Sequence, residues 1–156
     1  MSFENVDLPV TPSSWEDEPK PETEAAADTL DLRPTRGQVL VVEDDPTHRE
    51  LLVELLTGWG YEPVAVGSAE EAEHAMRRRA LQAAVVDVFL PGKSGASLLT
   101  RLRARFPESI LIGISALGGP STARRFKGLG ADLFLTKPVL PEQLAKALQG
   151  KHQSWH

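Results

Sequence analysis

The stretch VLVVEDDP, Val39 to Pro46, sets an apolar run directly against the carboxylates of Glu43, Asp44 and Asp45. Further along, AAVVD ends in Asp87, ILIGIS ends in Ser115, and DLFLT runs into Lys137 and Pro138. Carboxylates held close together repel one another, so one of them stays protonated unless a cation is placed among them. A hard divalent cation such as Mg²⁺, which takes oxygen ligands and keeps several waters, answers that need. Whether these residues act together depends on whether the fold gathers them.

The elements that carry them are legible from the pattern. From Gln38 onward short apolar runs alternate with longer amphipathic ones, the mark of a parallel sheet covered by helices. QVLVV is the first predicted strand. Asp45 caps a helix with Pro46 in its first turn, and Leu51, Leu52, Leu55, Leu56 and Trp59 recur at helical spacing until Gly58 and Gly60 stop it. PVAV is the second strand. Ser68 and Glu71 form a capping box for a helix over AEEAEHAMRRRA, with Ala69, Ala72 and Ala75 on one face. AAVVD, ILIGIS and DLFLT are the remaining strands, followed by helices through Leu98, Leu99 and Leu102, around TARRFKGLG, and over PEQLAKALQG. The expected fold is α/β: a three-layer sandwich whose parallel sheet is flanked on both faces by helices through right-handed crossovers.

Composition supports one such domain. The chain has 156 residues, 41% apolar and 25% charged, enough for a single core. Its net charge of -5 is concentrated in residues 1–36, where nine acids against three bases give -6 and leave +1 for the rest. That segment also carries five prolines and no apolar periodicity, so it reads as a disordered acidic extension. Residues 37–151 form the expected domain and 152–156 a short tail. No apolar run approaches the length needed to cross a bilayer, no signal peptide opens the chain, and cysteine is absent, which excludes disulfides, thiolate metal centres and a thiol nucleophile. The expectation is a soluble, cytoplasmic protein without membrane contact. His48, His74, His152 and His156 show no metal-ligand spacing, and His48 reads as ordinary helix surface.

In a parallel sheet all strands point one way, so their C-terminal ends converge on one rim, where ligands bind beside the switch in strand order. The predicted ends deliver Glu43, Asp44, Asp87, Ser115, Thr136 and Lys137 to that rim. With Pro91 and Gly95 in DVFLPGKSG, Ala116 after Ser115 and Pro138 after Lys137, this set resembles the receiver domain of two-component response regulators, over essentially everything after the acidic extension. The resemblance implies a flavodoxin-like five-stranded sheet with five helices. It implies that a histidine kinase or histidine phosphotransfer protein phosphorylates Asp87. It also implies that Glu43, Asp44 and Asp87 hold Mg²⁺, with the backbone carbonyl of Phe89 as a further ligand. Asp87 would act as nucleophile to form an acyl phosphate, Lys137 would neutralise charge in the transfer, and Ser115 would donate a hydrogen bond to the transferred group. Ser115 and Lys137 drawn to the phosphoryl group would shift neighbouring loops. Phe134 stands where the family carries an aromatic that reorients on activation, and an ordinary packing role fits it equally. A readout face for a downstream protein would include Arg124, Arg125, Lys127 and Asp132.

Glu43 replaces the family's more frequent aspartate with the charge kept. Phe89 and Leu117, two residues after Asp87 and Ser115, are apolar at positions flanking the path of a hydrolytic water, so a slowly decaying phosphorylated form is expected. Asp45 reads as a helix cap, and Arg77 to Arg79 as a solvated helix end, because a domain of +1 without an aromatic-laced basic face is no nucleic-acid binder. GKS at Gly92 lacks the glycine an NTP-binding loop needs, since Asp87 holds that place. GWGYEP and GLGADL each lack the third glycine of a dinucleotide fingerprint and act as helix stops. An aspartyl phosphatase of the haloacid dehalogenase kind wants a second aspartate where Phe89 stands. The remaining readings are a phosphorylation-driven regulator without an attached output domain, a receiver cut from a hybrid kinase, and a receiver-fold scaffold indifferent to phosphate.

Overall fold

A computed structural model of the chain describes residues 35–78, 80–90 and 94–149. The acidic extension up to Pro34, Arg79, the loop residues Pro91, Gly92 and Lys93, and residues 150–156 lie outside them. The elements are β1 (Gln38–Val42), α1 (Pro46–Gly58), β2 (Glu62–Val66), α2 (Ala69–Ala75) with a 3-10 turn (Met76–Arg78), β3 (Ala83–Asp87), α3 (Gly95–Arg105), β4 (Ile110–Ser115), α4 (Pro120–Gly128), β5 (Leu133–Thr136) and α5 (Pro141–Leu148). The five strands form one sheet in the order β2-β1-β3-β4-β5, every pair parallel. This is the flavodoxin-like doubly wound arrangement, with its switch in strand order between β1 and β3.

The central strands are continuous apolar runs because both of their faces are covered. Side chains alternate across a strand, so Val39 and Val41 enter one core with Leu52 and Leu56 of α1 and Leu144 of α5. Leu40 and Val42 enter the other core with Ala69 and Ala72 of α2, Leu98 and Leu102 of α3, and Phe126 of α4. The edge strands β2 and β5 are only partly buried, in keeping with their position.

The helix starts follow the cap chemistry. The Asp45 carboxylate accepts from the Thr47 N–H at 3.1 Å, with Pro46 opening α1. Ser68 accepts from the Glu71 N–H at 3.1 Å, while the reciprocal bond runs from the Gly67 N–H to Glu71 at 2.8 Å, one residue outside a strict capping box. The helix over AEEAEHAMRRRA is shorter than its pattern, passing into the 3-10 turn after Ala75. The carbonyl of Arg77, in that turn, accepts from the Arg105 guanidinium of α3. At the start of the domain, the Arg36 N–H donates to the Gly60 carbonyl at 3.0 Å and its guanidinium lies 5.5 Å from the Tyr61 ring centroid.

The rim at the N-terminal ends of the strands is held by Arg103. It donates to the carbonyls of Gly130, Pro107 and Ser109 and to the Asp132 carboxylate at 2.7 Å, which also accepts from the Leu111 N–H at 2.8 Å. Asp132, a sequence candidate for the readout face, therefore has a structural duty joining α3, β4 and the approach to β5.

At the opposite rim Gly95 permits a close approach. A Cβ there would lie 2.2 Å from the Asp87 carbonyl oxygen and 2.6 Å from the Val88 Cα. Gly95→Ala is expected to force α3 off this backbone at a cost of about 1–3 kcal/mol, read as a lowered urea midpoint at constant m. An unchanged midpoint would show that the loop absorbs the methyl group.

Candidate functional site

Glu43 and Asp44 leave β1 at the switch in strand order, beside the end of β3. Glu43 is fully buried while Asp44 is exposed. Glu43 Oε2 accepts from the Asp45 N–H at 3.2 Å, and its main-chain carbonyl accepts from Arg49 of α1 at 2.8 Å. Asp87, 4% exposed at the end of β3, accepts from the Phe89 N–H at 3.0 Å through Oδ1. The ammonium of Lys137, just after β5, joins the two: it lies 2.8 Å from Asp87 Oδ2 and 2.9 Å and 3.2 Å from the two Glu43 oxygens.

The backbone holds Lys137 in place, since its N–H donates to the Ser115 carbonyl at 2.8 Å. Ser115, buried at the end of β4, accepts from the Leu117 N–H at 2.9 Å, so its own proton remains available to donate. The structure thus brings Glu43, Asp44, Asp87, Ser115 and Lys137 to one rim, as the strand pattern requires.

The ammonium offsets part of the negative charge of the two buried carboxylates. Burial by itself would raise the Glu43 carboxyl, but hydrogen bonds from His48, Lys137 and the Asp45 N–H outweigh it and hold Glu43 below the usual carboxylate range. For Asp87 burial prevails, assisted by the negative charge of Glu43, over the bonds from Lys137 and the Phe89 N–H, so its carboxyl is raised. Burial would lower the Lys137 ammonium, yet its bonds to Asp87 and Glu43 raise it. One oxygen each of Glu43, Asp44 and Asp87 lies within 4.8 Å of the others. Oxygens on opposite sides of a Mg²⁺ ion are about 4.2 Å apart, so a small closure of this cluster suffices to hold one hard cation. The donor set, oxygen only and anionic, fits that chemistry.

His48 is the residue that sequence reasoning missed. It is not ordinary helix surface: its ring is 14% exposed, with Nδ1 2.6 Å from Glu43 Oε1. The available signal was position. With Pro46 first in α1, His48 lies in the first turn, where side chains lean back toward the helix start and hence toward the end of β1.

Away from the carboxylates, Phe134 packs its ring on Phe126 with centroids 5.1 Å apart. Arg124, Arg125 and Lys127 are exposed on α4. Two large apolar side chains stand open at the site's rim, Phe89 at 52% and Leu117 at 60% exposure.

Comparison with known proteins agrees with this geometry. The family model for the response regulator receiver domain matches residues 39–149. The chain is 37% identical over 114 residues to the transcriptional regulatory protein AruR of Pseudomonas aeruginosa, covering 69% of this chain and 46% of that one. It is 39% identical over 102 residues to the response regulator protein FleR of the same organism, covering 65% and 22%. The chain therefore spans about half or less of the length of these curated relatives. Among solved structures it is similar to the chemotaxis response regulator CheY4 of Vibrio cholerae, at TM-score 0.69 and 26% identity over 74% of this chain and 98% of that one. It is also similar to a Burkholderia pseudomallei response regulator solved with a phosphorylated aspartic acid, calcium ion and citrate, at TM-score 0.68 and 26% identity over 73% and 67%. Among the described residues no helix is long and apolar enough to cross a membrane. With its strand order, its rim of carboxylates and the family match over most of its length, the chain belongs to the response regulator receiver domain family.

Proposed function

We propose that this domain accepts a phosphoryl group on Asp87 from a histidine kinase or histidine phosphotransfer protein, with Mg²⁺ held by Glu43, Asp44, Asp87 and the backbone carbonyl of Phe89. The observation that carries the reading is the Lys137 ammonium seated between two buried carboxylates, 2.8 Å from Asp87 and 2.9 Å from Glu43. When bound, the metal supplies positive charge to the phosphoryl oxygens and brings the donor into line. An ionised Asp87 oxygen attacks phosphorus, the bond from phosphorus to the donor's imidazole nitrogen breaks, and an acyl phosphate remains on Asp87. Lys137 offsets the charge that arrives with the phosphoryl group, and the Ser115 hydroxyl donates to one of its oxygens. The phosphorylated aspartate and calcium ion of the Burkholderia relative support this assignment by analogy.

The same two residues would carry the signal. Lys137 leaving Glu43 and Ser115 moving toward the phosphoryl group would displace the loops after β4 and β5. The packing of Phe134 on Phe126 would then adjust, changing the face around Arg124, Arg125 and Lys127 that a downstream protein reads. In this reading residues 37–151 are the signalling unit and act in the cytoplasm through contact with a downstream protein.

The test is to incubate the protein with Mg²⁺ and a small phosphodonor such as phosphoramidate and to record its intact mass. Gain of one phosphoryl group that EDTA prevents is the expected result; no gain would overturn the proposal in favour of a phosphate-indifferent scaffold. The lifetime of the product is a separate expectation. Phe89 and Leu117 offer no hydrogen-bonding group to orient an attacking water, so the desalted phosphoprotein should lose its added mass over minutes or longer. A half-life of seconds would show that another group positions the water.

A further inference from the structure

We propose that His48 is a positioning residue for the metal site, holding the Glu43 carboxylate in the orientation that the cation requires. This rests on the reading of Glu43, Asp44 and Asp87 as ligands. The oxygens of a fully buried carboxylate need hydrogen-bond donors aimed at them. Three groups supply them here: Lys137, the Asp45 N–H and His48. Of these, Lys137 is shared with Asp87 and would be drawn to an arriving phosphoryl group, so it cannot be a constant anchor. The Asp45 N–H bond is long at 3.2 Å. His48 makes the shortest contact, 2.6 Å to Oε1, from a rigid ring on the first turn of α1.

The direction of this bond follows from chemistry. An ionised carboxylate only accepts, so Nδ1 carries the proton and donates to Oε1. The other ring nitrogen, Nε2, is buried with no hydrogen-bond partner among the described residues. The bond to Glu43 is thus the ring's one hydrogen bond among the described residues, and through it the two side chains orient each other. Hydrogen bonds to ligating carboxylates set their orientation and basicity, and removing them commonly weakens metal binding by about 10- to 100-fold.

The experiment compares wild type, His48→Leu and His48→Asn by calorimetric titration with Mg²⁺ and, separately, with Ni²⁺, with circular dichroism to establish that each variant is folded. Asparagine places an amide donor near the position of Nδ1; leucine fills similar space without one. The expected result is about tenfold weaker binding of both metals by His48→Leu, with His48→Asn restoring most of it. Equal Mg²⁺ affinity for all three proteins would overturn the proposal while leaving the metal site intact. Loss confined to Ni²⁺ would also overturn it, because a nitrogen that ligates directly favours Ni²⁺ over Mg²⁺. Loss in both variants alike would assign His48 to packing and reject the donor role. Wild type that binds no Mg²⁺ at all would overturn the ligand assignment itself, and this inference with it.

Discussion

Asp87→Asn is expected to take up no phosphate from phosphoramidate and Mg²⁺, and to melt above wild type in EDTA at pH 7. Loss of uptake follows from chemistry, since the amide lacks the ionised oxygen that attacks phosphorus. The gain in stability follows from burial. The Asp87 carboxyl is raised because desolvation, with the Glu43 charge, outweighs the bonds from Lys137 and the Phe89 N–H. For an acid raised on folding, the unfolded chain gives up its proton first. Stability is therefore greatest below the unfolded value of about 3.9 and falls as pH climbs through the folded value. Asp87→Asn lacks that loss, so its advantage over wild type should be small near pH 3.5 and grow as pH rises above it. Mg²⁺ should then close the gap. At tenfold excess over its Kd a ligand stabilises by about 1.4 kcal/mol, a gain expected for wild type and largely missing from the variant. Equal melting in EDTA, or an equal response to Mg²⁺, would remove Asp87 from the centre of the site.

Lys137→Met should show the opposite pattern. Without the ammonium, Glu43 and Asp87 face each other almost wholly buried, and one must take up a proton. Removing one partner of a buried pair costs about 3–5 kcal/mol. Lys137 retains 23% exposure, so a loss of about 2 kcal/mol at pH 7 is the expected figure. The sign is consistent with its raised ammonium: a cation raised on folding stabilises below its unfolded value of about 10.4 and ceases to do so only as pH passes the folded value. Mg²⁺ should bind the variant at least as tightly as wild type, since the two carboxylates have lost their internal counter-ion. Phosphoryl uptake should nevertheless fall by about 10²–10³, the cost of deleting a preorganised charge from a transfer site. Stability restored by Mg²⁺ without restored uptake would separate the two duties of this rim. Uptake within twofold of wild type would show that Lys137 serves charge balance alone.

The reason so much of this site could be read from sequence is that a doubly covered parallel sheet writes itself in continuous apolar runs. AAVVD and ILIGIS have the same bounds in structure as in pattern, and their last residues, Asp87 and Ser115, lie at the rim where strand direction requires them. Contacts between side chains and distant backbone leave no periodic trace, and there the pattern was silent. The bond from Arg105 to the Arg77 carbonyl, 28 residues away in the chain, is one example. Another is Arg103, whose partners Gly130 and Asp132 are far along the chain. The turn of His48 toward Glu43 depends on how α1 leaves β1, a tertiary angle that composition does not encode.

The alternation of β1 between two cores has a consequence for precision. Val39 and Val41 are clamped from one side and Leu40 and Val42 from the other, so a slip of one residue would exchange the contents of both layers. The strand behaves as a gauge block fixed between two jaws, and Glu43 and Asp44 are the marks at its end. The backbone part of their separation from Asp87, carried by β3 between the same jaws, is a tolerance set by aliphatic packing, which the polar groups at the rim then trim at the side chains. The accuracy with which three carboxylate oxygens could meet a metal ion is thus machined partly into the valines and leucines beneath them.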